Sequence, residues 1–153
     1  MQIGFTEDEI DTSASTRQAR LKWVIVVNNE LPTGRIVNAA TCVAAATALA
    51  VPGLLGPDGK DADGSPHAGL PWAGCTILAA DPETLRTLRA AAVAREDIHV
   101  ADMPLSAQET RVYDEYLTQL TEITTAEITY GALSLVGPRN PIDRLVKRLP
   151  LLP

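Results

Sequence analysis

The chain has 153 residues, of which 46% are hydrophobic, 21% charged and only 4% aromatic. That length and balance describe one folded unit with a core of Ala, Val, Leu and Ile, and they exclude a disordered chain. The net charge of −6 argues against a protein whose main task is gripping nucleic acid, because counterion release needs a basic surface.

A polar, acidic stretch opens the chain (residues 1–20, with Glu7, Asp8, Glu9 and Asp11) and lacks the apolar core of a secretory signal. Leu21–Val27 is a continuous apolar run and reads as a central strand buried on both faces. A polar turn leads into a helix over Thr33–Val51 that is apolar nearly all round. Such a helix is expected to be buried, and its alanines allow a second backbone, a subunit's included, to approach closely. Its Ala-rich part is too short and too poor in Leu and Ile to span a bilayer. Pro52 stops it. Residues 53–71 are rich in Gly, Pro and Asp, with turn signals at Asp58-Gly59 and Asp63-Gly64, and read as a hairpin or ordered flap.

Cys75–Ala80 is the second predicted strand. Asp81 reads as the N-cap and Pro82 as the first residue of a helix running to Arg95, with Leu85, Leu88, Ala92 and Val93 at helical spacing. A third strand covers Asp97–Ala101, with His99 on its outward side. Ser106-Ala107-Gln108-Glu109 has the form of a capping box opening a helix to Ile123, with Val112, Tyr113, Tyr116, Leu117 and Leu120 on one side. Glu127–Val136 is the fourth strand, and Asn140-Pro141 caps a last amphipathic helix bearing Ile142, Leu145, Val146 and Leu149. Helices alternating with strands predict an α/β, three-layer domain whose four-stranded, mixed and largely parallel sheet carries helices on both faces.

The candidate chemistry is concentrated at the first strand–helix turn, where Asn28, Asn29, Glu30, Thr33, Arg35 and Asn38 crowd together. Asn and Thr favour turns and caps. The same groups, at the carboxyl end of a strand, also suit a polar pocket for a carboxylate or phosphate, with Arg35 as a charged fork. Asp102, after the third strand, is expected at the same sheet edge. Cys42 reads as a small core residue, since a nucleophile there would need His67 or His99 as its base. Cys42 and Cys75 have no metal-ligand spacing and suit the reducing cytoplasm. Asp58, Asp61 and Asp63 lack the full calcium-loop pattern and read as solvated turn carboxylates, so no metal and no cofactor is expected. Arg139, Arg144, Lys147 and Arg148 read as complement to a helix dipole.

Three islands in order carry a family resemblance. Glu30-Leu31, Thr33-Gly34-Arg35 and Ala39-Ala40-Thr41-Cys42 form the first; Trp72 and Asp81-Pro82-Glu83-Thr84-Leu85 the second; Val136-Gly137-Pro138, Ile142-Asp143 and Leu151-Leu152 the third. Together they resemble the type-two peptidyl-tRNA hydrolases over nearly all the chain after Arg20. The Asp61–His67 flap, the extra helix from Ser106 to Ile123, the Leu31-Pro32 turn and the Asn38-Ala39 pair are similar to the bacterial family known as domain of unknown function 2000.

The resemblance implies a single peptidyl-tRNA-hydrolase-type-two-like domain over residues 21–153, preceded by the polar extension 1–20, and it implies dimers. It also implies an altered site. Val37 stands where the hydrolases carry a central Lys, Thr41 replaces their Gln, Ala44 their His, and their catalytic Thr falls near Ala132. Asp102 alone is retained. Losing the Lys removes oxyanion stabilisation worth roughly a few kcal/mol, so peptidyl-tRNA hydrolysis is not expected. The reading is therefore a cytoplasmic homodimer, without a membrane segment, that holds a small anionic or nucleotide-like ligand at the first turn. The alternatives are an ester or amide hydrolase using Asp102 with Thr41 or Cys42, and a structural dimer module.

Overall fold

The computed structural model describes residues 2–153. Its elements in chain order are β1 (Leu21–Asn28), α1 (Thr33–Ala50), the hairpin strands β2 (Gly59–Lys60) and β3 (Pro66–His67), β4 (Thr76–Ala80), α2 (Pro82–Val93), β5 (His99–Pro104), α3 (Ser106–Glu109), α4 (Tyr113–Thr121), β6 (Tyr130–Pro138) and α5 (Arg139–Val146). The main sheet has four strands in the order β4-β1-β6-β5. One face packs Trp23, Ile25 and Val27 against Ile36, Ala39 and Val43 of α1. The other packs Val24 and Val26 against Leu85 and Leu88 of α2 and Ile142 and Val146 of α5. Strand alternation thus feeds two cores, and the mixed α/β sheet with helices on both faces is present.

The expected largely parallel sheet needs correction. β1 and β4 are parallel, but β6 lies between β1 and β5 and runs antiparallel to both. A helix between strands commonly crosses a sheet face to start a parallel neighbour. Instead α3 and α4 leave and return at one end of the sheet, since Pro104 at the end of β5 pairs with Tyr130 at the start of β6.

Several boundaries move for local reasons. β5 starts at His99 because Asp97 is held in the preceding turn by Arg95, at 2.9 and 2.8 Å, and it continues to Pro104. Asp102 therefore lies within the strand, not after it. The predicted helix over Ser106–Ile123 is broken: Thr110 and Val112 are extended, and the Thr110 hydroxyl donates to the Ser106 carbonyl. Ser106 is thus inside α3 and caps nothing. Glu127 precedes β6 because it forms a reciprocal capping box with Thr124 on a short 3-10 turn. α5 starts at Arg139 with Pro138 in the cap position, so Asn140 and Pro141 sit in its first turn, where a missing N–H costs nothing.

α1 is less buried than its composition suggested. Ile36, Ala39, Val43 and Thr47 face the sheet, whereas Leu49 is 91% and Val37 58% exposed. Cys42 is exposed too, so the expectation of a core cysteine fails; it lies one position off the buried stripe. Within residues 53–71, β2 and β3 pair as a short antiparallel hairpin, one of the two forms the turn signals allow. The segment before β1 packs onto this region. Phe5 is buried against Trp72 at 4.8 Å, and its N–H donates to the Pro52 carbonyl at 2.9 Å. Gly53 turns the chain there at φ 78°, where a Cβ would lie 2.8 Å from Phe5.

One buried polar chain ties the first face together. The Trp23 indole N–H donates to the Ser134 hydroxyl at 2.8 Å, Ser134 and Thr47 hydroxyls share a 2.6 Å bond, and Thr47 donates to the Val43 carbonyl at 2.8 Å. Ser134→Ala strands the indole N–H, and we expect it to lower unfolding free energy by about 1–3 kcal/mol in urea titrations. A loss below the scatter of the measurement would refute this role. His99 gives a pH prediction. Its Nε2 is buried without a partner, and burial pushes the imidazole below its ordinary 6.5. Its folded pKa lies below its unfolded one, so its contribution is complete above pH 6.5 and is lost as pH falls through the lower folded value. Stability measured from pH 7.5 to acid should decline less steeply in His99→Gln than in the parent chain.

Candidate functional site

The first turn is built mainly for structure. Asn28 is 2% exposed; its amide donates to the Tyr130 carbonyl at 3.1 Å and its side-chain oxygen accepts from the Glu30 N–H at 3.0 Å. It clasps β1 to β6 and forms an Asx turn, which is the turn-chemistry alternative. Asn29, Glu30 and Thr33 are exposed, and Asn29 contributes its backbone N–H to the Ala80 carbonyl at 3.0 Å. Arg35 and Asn38 lie further along α1, where Gln108 of α3 donates to the Arg35 carbonyl at 2.8 Å and to the Asn38 side chain at 3.1 Å. Gly34, Arg35, Asn38, Ala107 and Gln108 line a shallow depression.

A larger cleft opens beside it, sharing Ala107. It measures about 440 Å3 and lies between α1, the edge strand β5 and the α3–α4 excursion. Val43, Ala46 and Met103 provide apolar walls, with Cys42, Asp102, Arg111, Tyr113 and Tyr116 around them. Tyr113 and Tyr116 meet edge to face at 5.5 Å. Arg111 has no ion-pair partner among the described residues. Asp102 and Arg35 therefore belong to neighbouring depressions and do not converge on one pocket.

Asp102 is held by Arg89 of α2, whose Nε donates to Oδ2 at 2.7 Å. Burial opposes charge on Arg89, yet Asp102 beside it holds the guanidinium above its ordinary range. The same guanidinium lies over the Tyr130 ring at 5.4 Å. Burial pushes the Tyr130 and Tyr116 phenols up, with the Asp102 charge a further cause in both. Both phenols are therefore neutral near pH 7, and the Tyr130 hydroxyl is buried without a hydrogen-bond partner among the described residues.

The nucleophile candidates are not assembled with a base. Thr41 donates its hydroxyl to the Val37 carbonyl at 2.8 Å and does not line the cleft. Cys42 does line it, but neither histidine does. His67 pairs with Asp61 at 3.2 Å on the flap, and His99 is half-buried at the start of β5. Asp61 also accepts from the Asp63 and Ser65 N–H groups, and Asp58 from that of Gly69, as turn-stabilising carboxylates do. Among the described residues no group of three or more His, Cys, Asp or Glu could hold a metal, and no helix is long and apolar enough to cross a membrane.

Sequence reasoning missed Arg89, Gln108 and Arg111. Arg89 looks like any exposed helical cation until α2 is laid across β5. Gln108 reads in the sequence only as an interior residue of a capping box. The tyrosines were placed on one helix face, but the cleft that face closes depends on the break at Thr110–Val112.

Comparison with known proteins supports the fold without supplying an activity. A solved protein of unknown function from Agrobacterium tumefaciens shares the fold at a TM-score of 0.81 and 14% identity, over 88% of this chain and 98% of its own. No curated protein matches. The family model described as protein of unknown function (DUF2000) matches residues 21–153, and the chain belongs to that family.

Proposed function

We propose that this protein is a non-hydrolytic binding protein of peptidyl-tRNA-hydrolase-type-two-like fold, taking a small anionic ligand with a flat apolar body, such as a nucleotide, in the cleft between α1, β5 and α4. The carrying observation is the lining itself: apolar walls, an edge-to-face tyrosine pair and one cation without an ion-pair partner. Aromatic rings stack on flat ligands, and the Arg111 fork suits a carboxylate or phosphate. Arg35 and Asn38, across Ala107, extend the polar end toward the first turn. The fold assignment draws support from the order of the three sequence islands, whose segments Glu30–Arg35, Asp81–Leu85 and Val136–Pro138 fall at the β1–α1, β4–α2 and β6–α5 junctions. At the hydrolase positions stand an exposed Val37, a back-bonded Thr41 and a buried Ala132, none of which can stabilise an oxyanion.

A second reading, hydrolysis of an ester or amide, is favoured by Cys42 and Asp102 lining one cleft. It is the weaker reading because Asp102 is already engaged by Arg89 and no imidazole lines the cleft. The protein acts as a homodimer in the cytoplasm. The uncharged exposed face of α1, from Val37 to Leu49, supports the dimer, and two free thiols support a reducing compartment.

A thermal-shift panel of nucleotides and aromatic carboxylates tests the cleft. The expected result is a rise in melting temperature that shrinks at least tenfold in ligand sensitivity in Arg111→Ala. No stabilisation by any member rejects ligand binding, and ester or amide turnover that disappears in Asp102→Asn installs the hydrolase reading in its place. Sedimentation analysis tests the assembly: a dimer is expected for the parent chain and a monomer for Leu49→Glu, and a monomeric parent removes the proposal.

A further inference from the structure

A second polar pocket lies at the opposite end of the sheet, where β1 and β4 begin and β6 ends. It measures about 380 Å3, and its lining includes Arg17, Lys22 and Arg139 along with Thr16 and Thr76. Three cations in one pocket are unexpected for a chain of net charge −6. They come from different elements, namely a 3-10 turn at Thr16–Gln18, β1 and α5. Such convergence from three directions is not the pattern of a solvated helix face.

The charge there is only partly compensated. Lys22 pairs with Asp143. Arg17 and Arg139 have no carboxylate partner among the described residues. Arg139 is half-buried and spends Nε and one Nη on neutral acceptors, the carbonyls of Ala19 (3.4 and 3.3 Å) and Thr16 (3.1 Å). Its other Nη has no hydrogen-bond partner among the described residues. Cys75, also on the wall, adds no negative charge, because burial pushes its thiol up to about 12. A partly buried guanidinium is costly without a counter-ion, and its remaining Nη can donate to a phosphate oxygen.

We propose that this pocket binds the phosphoryl group of a small molecule, with the unengaged Nη of the half-buried Arg139 donating to one oxygen and Arg17 and Lys22 facing the others. The small volume and acidic chain disfavour a long polyanion such as RNA, while two uncompensated guanidinium groups beside Lys22 suit a compact dianion better than a single carboxylate. Thr16 and Arg17 precede the family-matched residues 21–153, so the N-terminal segment completes the site. The site is separate from the cleft and stands or falls independently of it.

Calorimetric titration of the intact protein at fixed ionic strength tests this, with pyrophosphate, inorganic phosphate, glycerol phosphate and citrate as probes. One-site saturable binding of a phosphoryl compound is expected, weakened tenfold or more in Arg17→Ala and in Lys22→Met. Arg17 is exposed, so its removal leaves the fold intact, and circular dichroism verifies this. Arg144→Ala, on α5 outside the lining, should bind as the parent does. The relative affinity of glycerol phosphate and inorganic phosphate tells a phosphorylated small molecule from the free ion. Absence of saturable heat, equal weakening in Arg17→Ala and Arg144→Ala, or citrate binding as tightly as any phosphoryl compound each overturns the proposal.

Discussion

The antiparallel seam between β1 and β6 is the constraint on which the remaining structure depends. It runs from Leu21 opposite Pro138 to Val27 opposite Ala132. Both strands are buried almost throughout, so nearly every side chain on them belongs to one core or the other. Register is then strongly specified, since a one-residue slip would exchange the two cores. Polar groups reinforce it at two points. Asn28 reaches the Tyr130 carbonyl at one end, and the Trp23–Ser134 bond crosses it further along. Fully satisfied buried polar pairs of this kind add directional specificity to an otherwise interchangeable aliphatic interior.

With β6 reversed in the middle of the sheet, each end of the molecule acquires a different character. At the carboxyl end of β1 the chain must leave β5 and come back to start β6, and that excursion raises α3 and α4 beside α1. At the opposite end β6 turns directly into α5 through Gly137 and Pro138, bringing Arg139 over the segment that precedes β1. One end therefore holds an apolar cleft with aromatic walls, and the other a cationic pocket.

The elements with strong local signals were legible in the sequence. β1 announced itself by an unbroken apolar run, α2 by Asp81 and Pro82, whose capping bond to the Thr84 N–H is present at 2.9 Å, and the flap by its Asp-Gly turns. What the sequence could not carry was decided by partners distant along the chain. The direction of β6 depends on where an excursion returns, not on any property of Tyr130–Pro138. Cys42 and Val43 are equally apolar neighbours, and only the rotation of α1 on the sheet exposes one and buries the other. Nothing along the chain marks the partner of Asp102, because Arg89 approaches from a different layer. At the first turn Asn28 serves the fold, through its bonds to the Tyr130 carbonyl and the Glu30 N–H.

The attachment of α4 has a dynamic consequence. None of its residues is buried, its side-chain hydrogen bonds are all internal, and Tyr116 and Leu120 alone are half-covered. Lifting it exposes little apolar surface and breaks no ladder, so its opening is separate from global unfolding and has a much smaller free energy. Amide protons in α4 would then exchange through brief local excursions while those of β1 and β6 wait for the whole molecule to come apart. In the proposed binding role, a wall with such freedom would let the cleft admit bodies wider than its resting mouth.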